Sequence, residues 1–311
     1  MKQSYDVLII GGGPAGCMAA MHLAARHWTT LLVDKETEQG YLASLKMLGN
    51  FPGFPDEING AEIIDRLRKQ AQKAGAFIKH LEINKINFEE EKKIAEGGEQ
   101  QFEVKSVILA TGAAGRTGHL PGGREFFGQG VSHDVQTDVS LTQDKEVAIV
   151  GKNKTAAEAA ILLSKYARQV HFIIPSNKLD IENRLVNDLQ NNKKVHLLFS
   201  ASLKSITGNK HVENVTLFVA GQEKSLPVNY IFNYQHEYQV SNQFLKQALK
   251  LEEKDNIPID EKFQTPVPGV FACGDVICGR PQQPLVSTTQ GLLAAMNVDD
   301  YLRTLSKSAT N

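Results

Sequence analysis

Cysteine is scarce in this chain of 311 residues, which contains only Cys17, Cys273 and Cys278. Three cysteines cannot all pair with one another, and the sequence contains no Cys-x-x-Cys. The pattern therefore predicts neither a disulfide scaffold nor a cysteine-based zinc site. We expect a protein without a resident metal ion.

Net charge and long apolar runs are lacking as well. The 34 Lys and Arg residues balance the 35 Asp and Glu residues to a formal charge of −1. This balance gives no electrostatic reason to expect nucleic acid or a membrane surface as a partner. The apolar run at residues 7–10 is too short for a membrane span, and neither end of the chain resembles a targeting peptide. We expect a cytoplasmic protein.

A complete dinucleotide-binding fingerprint lies near the start of the sequence. An apolar strand pattern at residues 5–10 leads into Gly11, Gly13 and Gly16, and Asp34 closes the next apolar strand. The first glycine permits a tight turn, the second lets the backbone approach a pyrophosphate, and the third lets helix and strand pack closely. The Asp34 carboxylate can accept hydrogen bonds from ribose hydroxyls, and the helix N-terminus favours phosphates. An ordinary set of turns is the alternative interpretation.

A second strand-turn-helix pattern begins at residue 146 but lacks the glycines. Residues 146–156 read Glu-Val-Ala-Ile-Val-Gly-Lys-Asn-Lys-Thr-Ala, so Lys152 and Asn153 stand where glycines are needed. Their side chains would crowd a pyrophosphate against the turn. Two cations, Lys152 and Lys154, can still attract an anion at a helix N-terminus, and solvated lysines on a vestigial turn are the alternative.

The length of the chain exceeds the usual size of a single core, so two domains are expected. A Gly- and Arg-rich stretch at residues 113–131 and a second crossing near residues 241–251 separate the two strand-helix patterns. We expect an α/β fold with two three-layer, Rossmann-like domains, one inserted in the other. Residues 1–114 with 245–311 would form the outer domain, and residues 115–244 the inserted one.

Six motifs, in this order, resemble those of the low-molecular-weight thioredoxin reductases over essentially the full length. They are residues 11–16 (GGGPAG), 50–54 (NFPGF), 108–113 (ILATGA), 120–122 (LPG), 128–132 (GQGVS) and 271–276 (FACGDV). Six ordered motifs are far more specific than a lone glycine fingerprint. The resemblance implies a homodimer in which the outer domain binds FAD and the inserted domain binds NADPH. In that family a Cys-x-x-Cys passes electrons to a protein disulfide.

The resemblance also implies a set of FAD-binding residues. They are Gly11, Gly13, Pro14, Ala15, Gly16, Asp34, Lys35, Asn50, Thr111, Gly112, Gly274, Asp275 and Gln283. Asp34 would face the adenosine ribose, and Thr111 the adenine side. Asn50 would approach the flavin ring and Asp275 the ribityl chain. Gln283, at the start of the last helix, would present its backbone N–H to the pyrimidine end of the flavin, where the helix dipole favours the anionic reduced ring.

Both redox cysteines of the family pattern are missing. Where the family has Tyr-Cys-x-x-Cys-Asp, residues 133–138 read His-Asp-Val-Gln-Thr-Asp, so Asp134 and Thr137 replace the cysteines. Neither residue can form a thiolate or a disulfide. The usual dithiol relay is therefore absent from this segment.

Three residues are candidates for a catalytic role. Asp138 stands where the family keeps an acid beside the thiols, with a helix cap or surface acid as the alternative. His133, like Tyr41, occupies a position that the family places close to the flavin ring, with plain packing as the alternative. Cys278 lies in a turn just past Asp275, where a bystander role is the alternative.

The nicotinamide side of the family pattern is also altered. The family's His-Arg-Arg cluster, which grips the 2′-phosphate of NADPH, is matched by residues 174–176 (Ile-Pro-Ser), and a later Arg by Asp180. Each lost charge-assisted hydrogen bond is worth roughly 1.5–3 kcal/mol. We do not expect tight NADPH binding in the family's manner. Tyr234, His236 and Tyr238 are candidates to stack on another aromatic ligand, such as a second flavin.

The resemblance, together with these departures from it, implies an FAD-dependent oxidoreductase. Its flavin would exchange electrons with a donor other than NADPH, for which ferredoxin, flavodoxin and a small molecule are the options, and a thioredoxin-like protein is a further candidate partner. A second flavin or another aromatic ligand in the degenerate site stays open. The alternatives are a redox-inert flavin-binding regulatory protein and a disulfide reductase that uses Cys278.

Overall fold

The computed structural model describes most of the chain. The described residues are 2–35, 40–44, 48–56, 58–88, 92–114, 120–123, 125–126, 128–132, 135–219, 221–235, 239–240, 242–252, 255–277 and 283–308. Five residues discussed above lie outside these ranges: His133, Asp134, His236, Tyr238 and Cys278. The side chains of Tyr41 and Thr137 are not described either.

The helices and strands alternate along most of the chain. In the first part they are β1 (Lys2–Ile10), α1 (Pro14–Ala25), β2 (Thr30–Asp34), α2 (Tyr41–Ser44), α3 (Gly60–Lys73), β3 (Phe77–His80), β4 (Lys85–Phe88), β5 (Lys93–Gly97), β6 (Gln100–Leu109) and β7 (Ala113–Ala114). Next come β8 (Val131–Ser132), α4 (Val135–Asp138), β9 (Glu146–Gly151), α5 (Lys154–Ser164), β10 (Gln169–Ile174), α6 (Asn183–Asn191) and β11 (Val195–Phe199). The last are β12 (Ala201–Gly208), β13 (Val212–Val219), β14 (Gln222–Pro227), β15 (Tyr230–Tyr234), β16 (Gln239–Val240), β17 (Val270–Ala272) and α7 (Pro284–Ser308).

The chain divides into two compact units, one formed by Met1–Ala114 with Tyr238–Asn311 and the other by Gly115–Glu237. The second boundary thus falls before Tyr238 rather than after residue 244. The reason is that β16 pairs antiparallel with β7, which draws this segment into the first unit. Which ligand each unit binds stays a prediction.

The first unit is built on a sheet with the strand order β3-β2-β1-β6-β5-β4, in which β17 also pairs with β6. Strands β1, β2, β3, β6 and β17 are parallel, and β4 and β5 add an antiparallel edge. The end of β1, residues 7–10, is buried throughout, as is typical of a parallel strand covered on both faces. The carboxyl ends of β1, β2 and β6 therefore lie side by side, which is where dinucleotides bind in such sheets.

The second unit has a parallel sheet with the order β11-β10-β9-β15-β8. Helix α5 packs its alanine-rich face on this sheet, within a core that includes Ala156, Ala160 and Phe172. A three-stranded antiparallel sheet, β12-β13-β14, adds a further layer, and β12 contacts β10. The expected α/β fold with two Rossmann-like units is confirmed.

Helix α7 is the longest described helix, and it has one buried face and one exposed face. Its burial pattern places Ala294, Ala295 and Val298 in the core of the first unit, while Asp300 is exposed. In the part of the chain that the structure describes, no helix is long and apolar enough to cross a membrane.

Candidate functional site

The turn between β1 and α1 has room for glycine alone at two of its positions. Gly11 has a φ of +111°, and a Cβ atom on it would lie 2.2 Å from the carbonyl oxygen of Ala110. A Cβ atom on Gly16 would lie 1.9 Å from the carbonyl oxygen of Gly11. Both roles predicted from the spacing, the tight turn and the close packing, therefore have a steric basis.

Gly13 differs from its neighbours because no described residue crowds it. A Cβ atom at this position would meet no atom of the described residues within 4 Å. The backbone here faces open space, so the fold itself does not require a glycine. A glycine at this position fits the predicted close approach of a ligand to the backbone.

The N-terminus of α1 is left open by the side chains around it. Gly13 is the N-cap residue, Pro14 occupies the first helical turn, and no described side chain caps the helix there. The first N–H groups of a helix have no partner within the helix, and they carry the positive end of its dipole. The turn can therefore offer N–H groups to a phosphate, and Ala15 and Gly16 are buried at its base.

The corresponding helix of the second unit, α5, is capped from within. Its N-cap residue is Asn153, whose Oδ1 accepts a hydrogen bond from the backbone N–H of Ala156 at 2.9 Å. Lys154 Nζ lies 2.9 Å from Glu182 Oε1 and 4.0 Å from Glu158 Oε1. The hydrogen bond to Glu182 raises the pKa of Lys154. One of the two predicted cations thus forms an exposed ion pair with a carboxylate of its own unit.

Asp34, at the end of β2, lies directly beside the glycine turn. Its Oδ2 atom is 2.6 Å from where a Cβ atom on Gly12 would be, so a side chain at position 12 would displace the Asp34 carboxylate. Arg68, on α3, donates from Nη2 to Asp34 Oδ2 at 2.8 Å. Arg68 was not predicted from the sequence. A signal for Arg68 existed, because it lies four residues after buried Ile64, on the apolar face of α3.

The loop after β6 contains Thr111 and Gly112 and is fixed by a buried asparagine. Thr111 Oγ1 donates to Asn242 Oδ1 at 2.9 Å, and Asn242 Nδ2 donates to the carbonyl oxygen of Asp255 at 2.9 Å. Asn242 is fully buried. Gly112 has a φ of +64°, a backbone conformation that favours glycine. Nothing in the local pattern of residues 239–245 pointed to Asn242, because its partners are distant in sequence.

The loop containing Gly274 and Asp275 meets the start of α1. Gly274 has a φ of +80°, and a Cβ atom on it would lie 3.1 Å from Ala15 Cβ. Its N–H donates to Gln290 Oε1 at 2.9 Å, and Asp275 Oδ1 accepts from Ser287 Oγ at 3.1 Å. Both partners are on α7. The structure therefore brings two of the predicted motifs, residues 11–16 and 271–276, to one place.

Helix α7 approaches α1 so closely that one position has no room for a side chain. A Cβ atom on Gly291 would lie 2.1 Å from the carbonyl oxygen of Ala15. Gln283, predicted to face the flavin, directly precedes α7, and its carbonyl oxygen accepts from Ser287 N at 2.9 Å. Its backbone thus belongs to the first turn of this helix, as predicted. Gly291 was not identified from the sequence.

The remaining predicted residues occupy more open positions. Asn50 is exposed, in the segment between Leu48 and Ile58, which form an isolated antiparallel bridge. Lys35 Nζ lies 3.8 Å from Glu82 Oε1. Asp138 belongs to the second unit, where it ends α4 and precedes a short 3-10 helix, Val139–Thr142. Asp138 is thus the N-cap residue of this 3-10 helix by position, and its catalytic role stays a prediction.

Tyr234, a predicted stacking residue, lies against the turn of the second unit. A Cβ atom on Gly151 would be 3.0 Å from Tyr234 Cβ, and the Tyr234 hydroxyl accepts from the Val135 N–H at 3.2 Å. Tyr234 thus packs against the turn that follows β9, at a position where the family pattern has a small residue.

The two described thiols are deeply buried. Cys17 and Cys273 have exposed fractions of 1% and 0%. Burial disfavours the charged thiolate and raises the pKa of both groups to about 12. The Cys17 thiol also donates to the Gly12 carbonyl oxygen at 3.3 Å. Neither thiol is a nucleophile at neutral pH. Residues of the types that bind metals do not form a group of three or more around a possible ion site anywhere in the described ranges.

Known proteins resemble the chain over almost its whole length. A family model described as pyridine nucleotide-disulphide oxidoreductase matches residues 5–291. A thioredoxin reductase of Aquifex aeolicus is 33% identical over 301 residues, which cover 96% of this chain and 93% of the relative. A thioredoxin reductase of Peptoclostridium litorale is 30% identical over 98% of this chain and 99% of its own. The crystal structure of thioredoxin reductase from Streptococcus pyogenes superposes with a TM-score of 0.91 at 27% identity, covering 97% and 99% of the two chains.

Proposed function

The chain belongs to the pyridine nucleotide-disulphide oxidoreductase family, and from this premise we propose an FAD-dependent oxidoreductase whose electron donor is not NADPH. The observation that carries this proposal is the difference between two helix N-termini. The first, at Gly13, is open, and the second, at Asn153, is capped by its own side chain. This difference supports a retained first dinucleotide site and an altered second one.

The residues of the first unit fit FAD. The open N-terminus of α1 and the uncrowded backbone at Gly13 suit a pyrophosphate, which needs N–H donors and close contact. Asp34 would accept the ribose hydroxyls, Thr111 and Gly112 would line the adenine side, and Asp275 would meet the ribityl chain. When bound, FAD supplies a ring that accepts and donates electrons. The protein holds and orients it and excludes competing reactions.

Three features argue against NADPH as the donor. The Asn153 cap uses an N–H group that a pyrophosphate would need, and Lys154 is paired with Glu182. Residues 174–176, at and just after the end of β10, read Ile-Pro-Ser and offer no cation to a 2′-phosphate. We therefore propose that electrons enter from ferredoxin, flavodoxin or a small molecule.

The thioredoxin reductases that the chain resembles point to thioredoxin as an electron acceptor, but this chain has no Cys-x-x-Cys to pass electrons on. Cys17 and Cys273 cannot replace it, because both thiols are buried and protonated. Of the alternatives, a disulfide reductase would depend on Cys278 alone. A redox-inert flavoprotein would bind FAD, but no donor would reduce its flavin.

The experiment is an anaerobic stopped-flow measurement of flavin bleaching at the flavin absorbance maximum. Reduced ferredoxin, reduced flavodoxin, NADPH and NADH would each be mixed with the purified protein. The thioredoxin reductase of Aquifex aeolicus, treated identically, is the positive control for NADPH. We expect bleaching by a reduced protein donor and none by NADPH at micromolar concentration. Rapid reduction by NADPH would overturn the proposal, and no reduction by any donor would favour the redox-inert alternative.

We further propose one flavin per chain. A second flavin in the second unit would have to bind without the pyrophosphate turn, because Asn153 caps α5 and Tyr234 packs against Gly151. Flavin absorbance per chain tests this, together with a Lys152→Glu, Lys154→Glu variant. A ratio of one in both proteins supports the proposal. A ratio of two that falls in the variant would instead assign a second flavin to this turn.

A homodimer is the assembly that we propose. Helix α7 exposes Leu285, Leu293 and Met296, with exposed fractions of 44%, 41% and 45%. Their spacing of eight and three residues places them on one face of the helix. An apolar helical face of this kind suits burial against a second copy of the chain.

A further inference from the structure

Arg68 is a charged residue on the buried face of a helix. Helix α3 buries Ile63, Ile64 and Ala71 and exposes charged residues on its opposite face. Arg68 lies four residues after Ile64 and three before Ala71, so it shares their face, and its side chain is only 19% exposed. A cation in such a place is stable only when it is paired and hydrogen-bonded.

The contacts of Arg68 link three separate parts of the dinucleotide fingerprint. Its Nη2 atom lies 2.8 Å from Asp34 Oδ2, at the end of β2, and 3.5 Å from the carbonyl oxygen of Gly12, in the glycine turn. It also faces Cys17 in the first turns of α1, where its charge opposes the larger effect of burial on the pKa of the thiol. The guanidinium is a rigid fork with five N–H donors, which suits several acceptors at once.

The site also presents an electrostatic conflict that a cation would resolve. The Asp34 carboxylate lies against the glycine turn, with Oδ2 only 2.6 Å from the Cβ position of Gly12. A pyrophosphate at the adjacent N-terminus of α1 would bring further negative charge close to it. Like charges that share a site repel one another unless a cation stands between or beside them.

We propose that Arg68 is a positioning residue for the adenosine half of the dinucleotide. It fixes the Asp34 carboxylate against the glycine turn and offsets its charge, so that this carboxylate can accept the ribose hydroxyls beside a pyrophosphate. A carboxylate has about four acceptor sites, so a contact of Arg68 at Oδ2 is compatible with a ribose contact at Oδ1. The inference rests on the proposed function only in taking FAD as the ligand.

The test is the affinity of the full-length, flavin-free protein for FAD, measured by the quenching of flavin fluorescence. The Arg68→Gln variant should bind FAD about tenfold more weakly, which corresponds to about 1.4 kcal/mol. ADP, used as a competitor, should lose affinity by the same factor, because it contains the adenosine and the two phosphates of FAD without the flavin. Arg66→Gln, an exposed neighbour paired with Glu62 on the same helix, is the matched control and should bind FAD like the wild type.

A double-mutant cycle with Asp34→Asn separates positioning from general stability. If Arg68 acts through Asp34, Arg68→Gln should have much less effect in the Asp34→Asn background than in the wild type. Equal effects in both backgrounds would overturn the inference, as would unchanged FAD and ADP affinity in Arg68→Gln. Arg68→Lys, which keeps the charge, should recover part of the lost affinity.

The outcomes also separate this inference from the proposed function. A wild-type protein that binds no FAD would refute the proposed function, whereas FAD binding that ignores position 68 would refute the inference alone. If Arg68→Gln does not fold, the binding test uses Arg68→Met instead, which fills the mostly buried position with an apolar side chain. Unchanged affinity in Arg68→Met would then decide against the inference.

Discussion

Asn153 caps its own helix by accepting a hydrogen bond from the Ala156 N–H at 2.9 Å. Gly13, at the same position relative to α1, has no side chain with which to do so. The two turns follow the same strand-turn-helix plan, yet one offers N–H groups to a ligand and the other satisfies one internally. This difference supports the proposal that the first turn binds a phosphate and the second does not.

Substitutions at two glycines should separate ligand binding from folding. The added methyl of Gly13→Ala meets no atom of the described residues, so the flavin-free variant should unfold at the wild-type urea concentration but bind FAD at least about tenfold more weakly. Gly16→Ala forces a Cβ atom to within 1.9 Å of the Gly11 carbonyl oxygen, and it should lower the free energy of unfolding by about 1–3 kcal/mol. Urea titrations and FAD titrations of both variants check this. Normal FAD binding by Gly13→Ala would contradict the assigned pyrophosphate site.

The buried thiols should resist alkylation in the native protein. Because burial raises the pKa of Cys17 and Cys273 to about 12, almost no thiolate is present at pH 8. Iodoacetamide followed by peptide mass analysis should find both residues unmodified in the native protein and modified after denaturation. Rapid native labelling of either residue would show that its environment opens. Any native labelling should be confined to Cys278.

The exposed apolar face of α7 should control the oligomeric state. Met296→Glu places a charge on the face that we propose to be buried in a homodimer, so the variant should be monomeric by size-exclusion chromatography with light scattering. Asp300→Lys, at another exposed position of the same helix, is the control for a change of charge alone. A dimeric Met296→Glu variant, or a monomeric wild type, would refute this interface.

His171 should make the stability of the protein depend on pH. Its ring Nε2 lies 3.0 Å from Glu146 Oε2, and the ring stacks on His196 with centroids 5.4 Å apart. Burial lowers the pKa of His171 in spite of Glu146, and the charges of His196 and Lys224 lower it further. The unfolded chain therefore binds the proton more tightly, so this residue's stabilising contribution is present above pH 6.5 and is lost as the pH falls through the lowered pKa.

The measurement for His171 is the urea midpoint at pH 7.5 and at pH 5.0. The His171→Gln variant should show a smaller fall in stability between these values than the wild type, because it removes the titrating ring. His211→Gln, at an exposed position, is the matched control. An unchanged difference between the two pH values in His171→Gln would rule out this residue as the source.

Asp299 should be the most sensitive acidic residue of α7. It is 7% exposed, and its carboxylate accepts from Trp28 Nε1 at 2.8 Å, Arg26 Nε at 3.0 Å and Arg303 Nε at 2.9 Å. Asp299→Ala leaves the Trp28 donor unsatisfied, while the two half-exposed arginines can turn to water. We expect a loss of about 1–3 kcal/mol in the free energy of unfolding, with Asp300→Ala near zero as the control.

The glycine turn and Asp34 could be predicted because their spacing is a pattern within one strand-turn-helix-strand segment. Gly16 is restricted by the Gly11 carbonyl oxygen in the same segment, whereas Gly11 is restricted by Ala110, which approaches it through the pairing of β1 with β6. Gly291 and Asn242 could not be found in this way. Their constraints come from Ala15 and Thr111, which are distant in sequence and approach only in the folded chain.

The altered second turn was predicted from the bulk of Asn153, and the structure adds that Asn153 also caps the helix. The sequence showed Asn153 as a bulky residue where a pyrophosphate would press. The capping hydrogen bond depends on the side-chain rotamer of Asn153 and on the position of the Ala156 N–H, and the spacing of residues in the sequence fixes neither. The pairing of Lys154 with Glu182 is likewise invisible in the sequence, because α6 approaches α5 only through the fold. Roles for His133 and Cys278 stay predictions, as both lie outside the described residues.

The placement of β17 and α7 has a consequence for the order of events during synthesis. The first unit takes strands from residues before 114 and closes with β17 against β6 and α7 against α1, both from the last part of the chain. The second unit is one continuous segment, and its final residue leaves the ribosome before β17 and α7 are made. Domains tend to fold as units as they emerge. The inserted unit can therefore be complete on the nascent chain before β17 and α7 have emerged, so the predicted flavin site forms after the inserted unit.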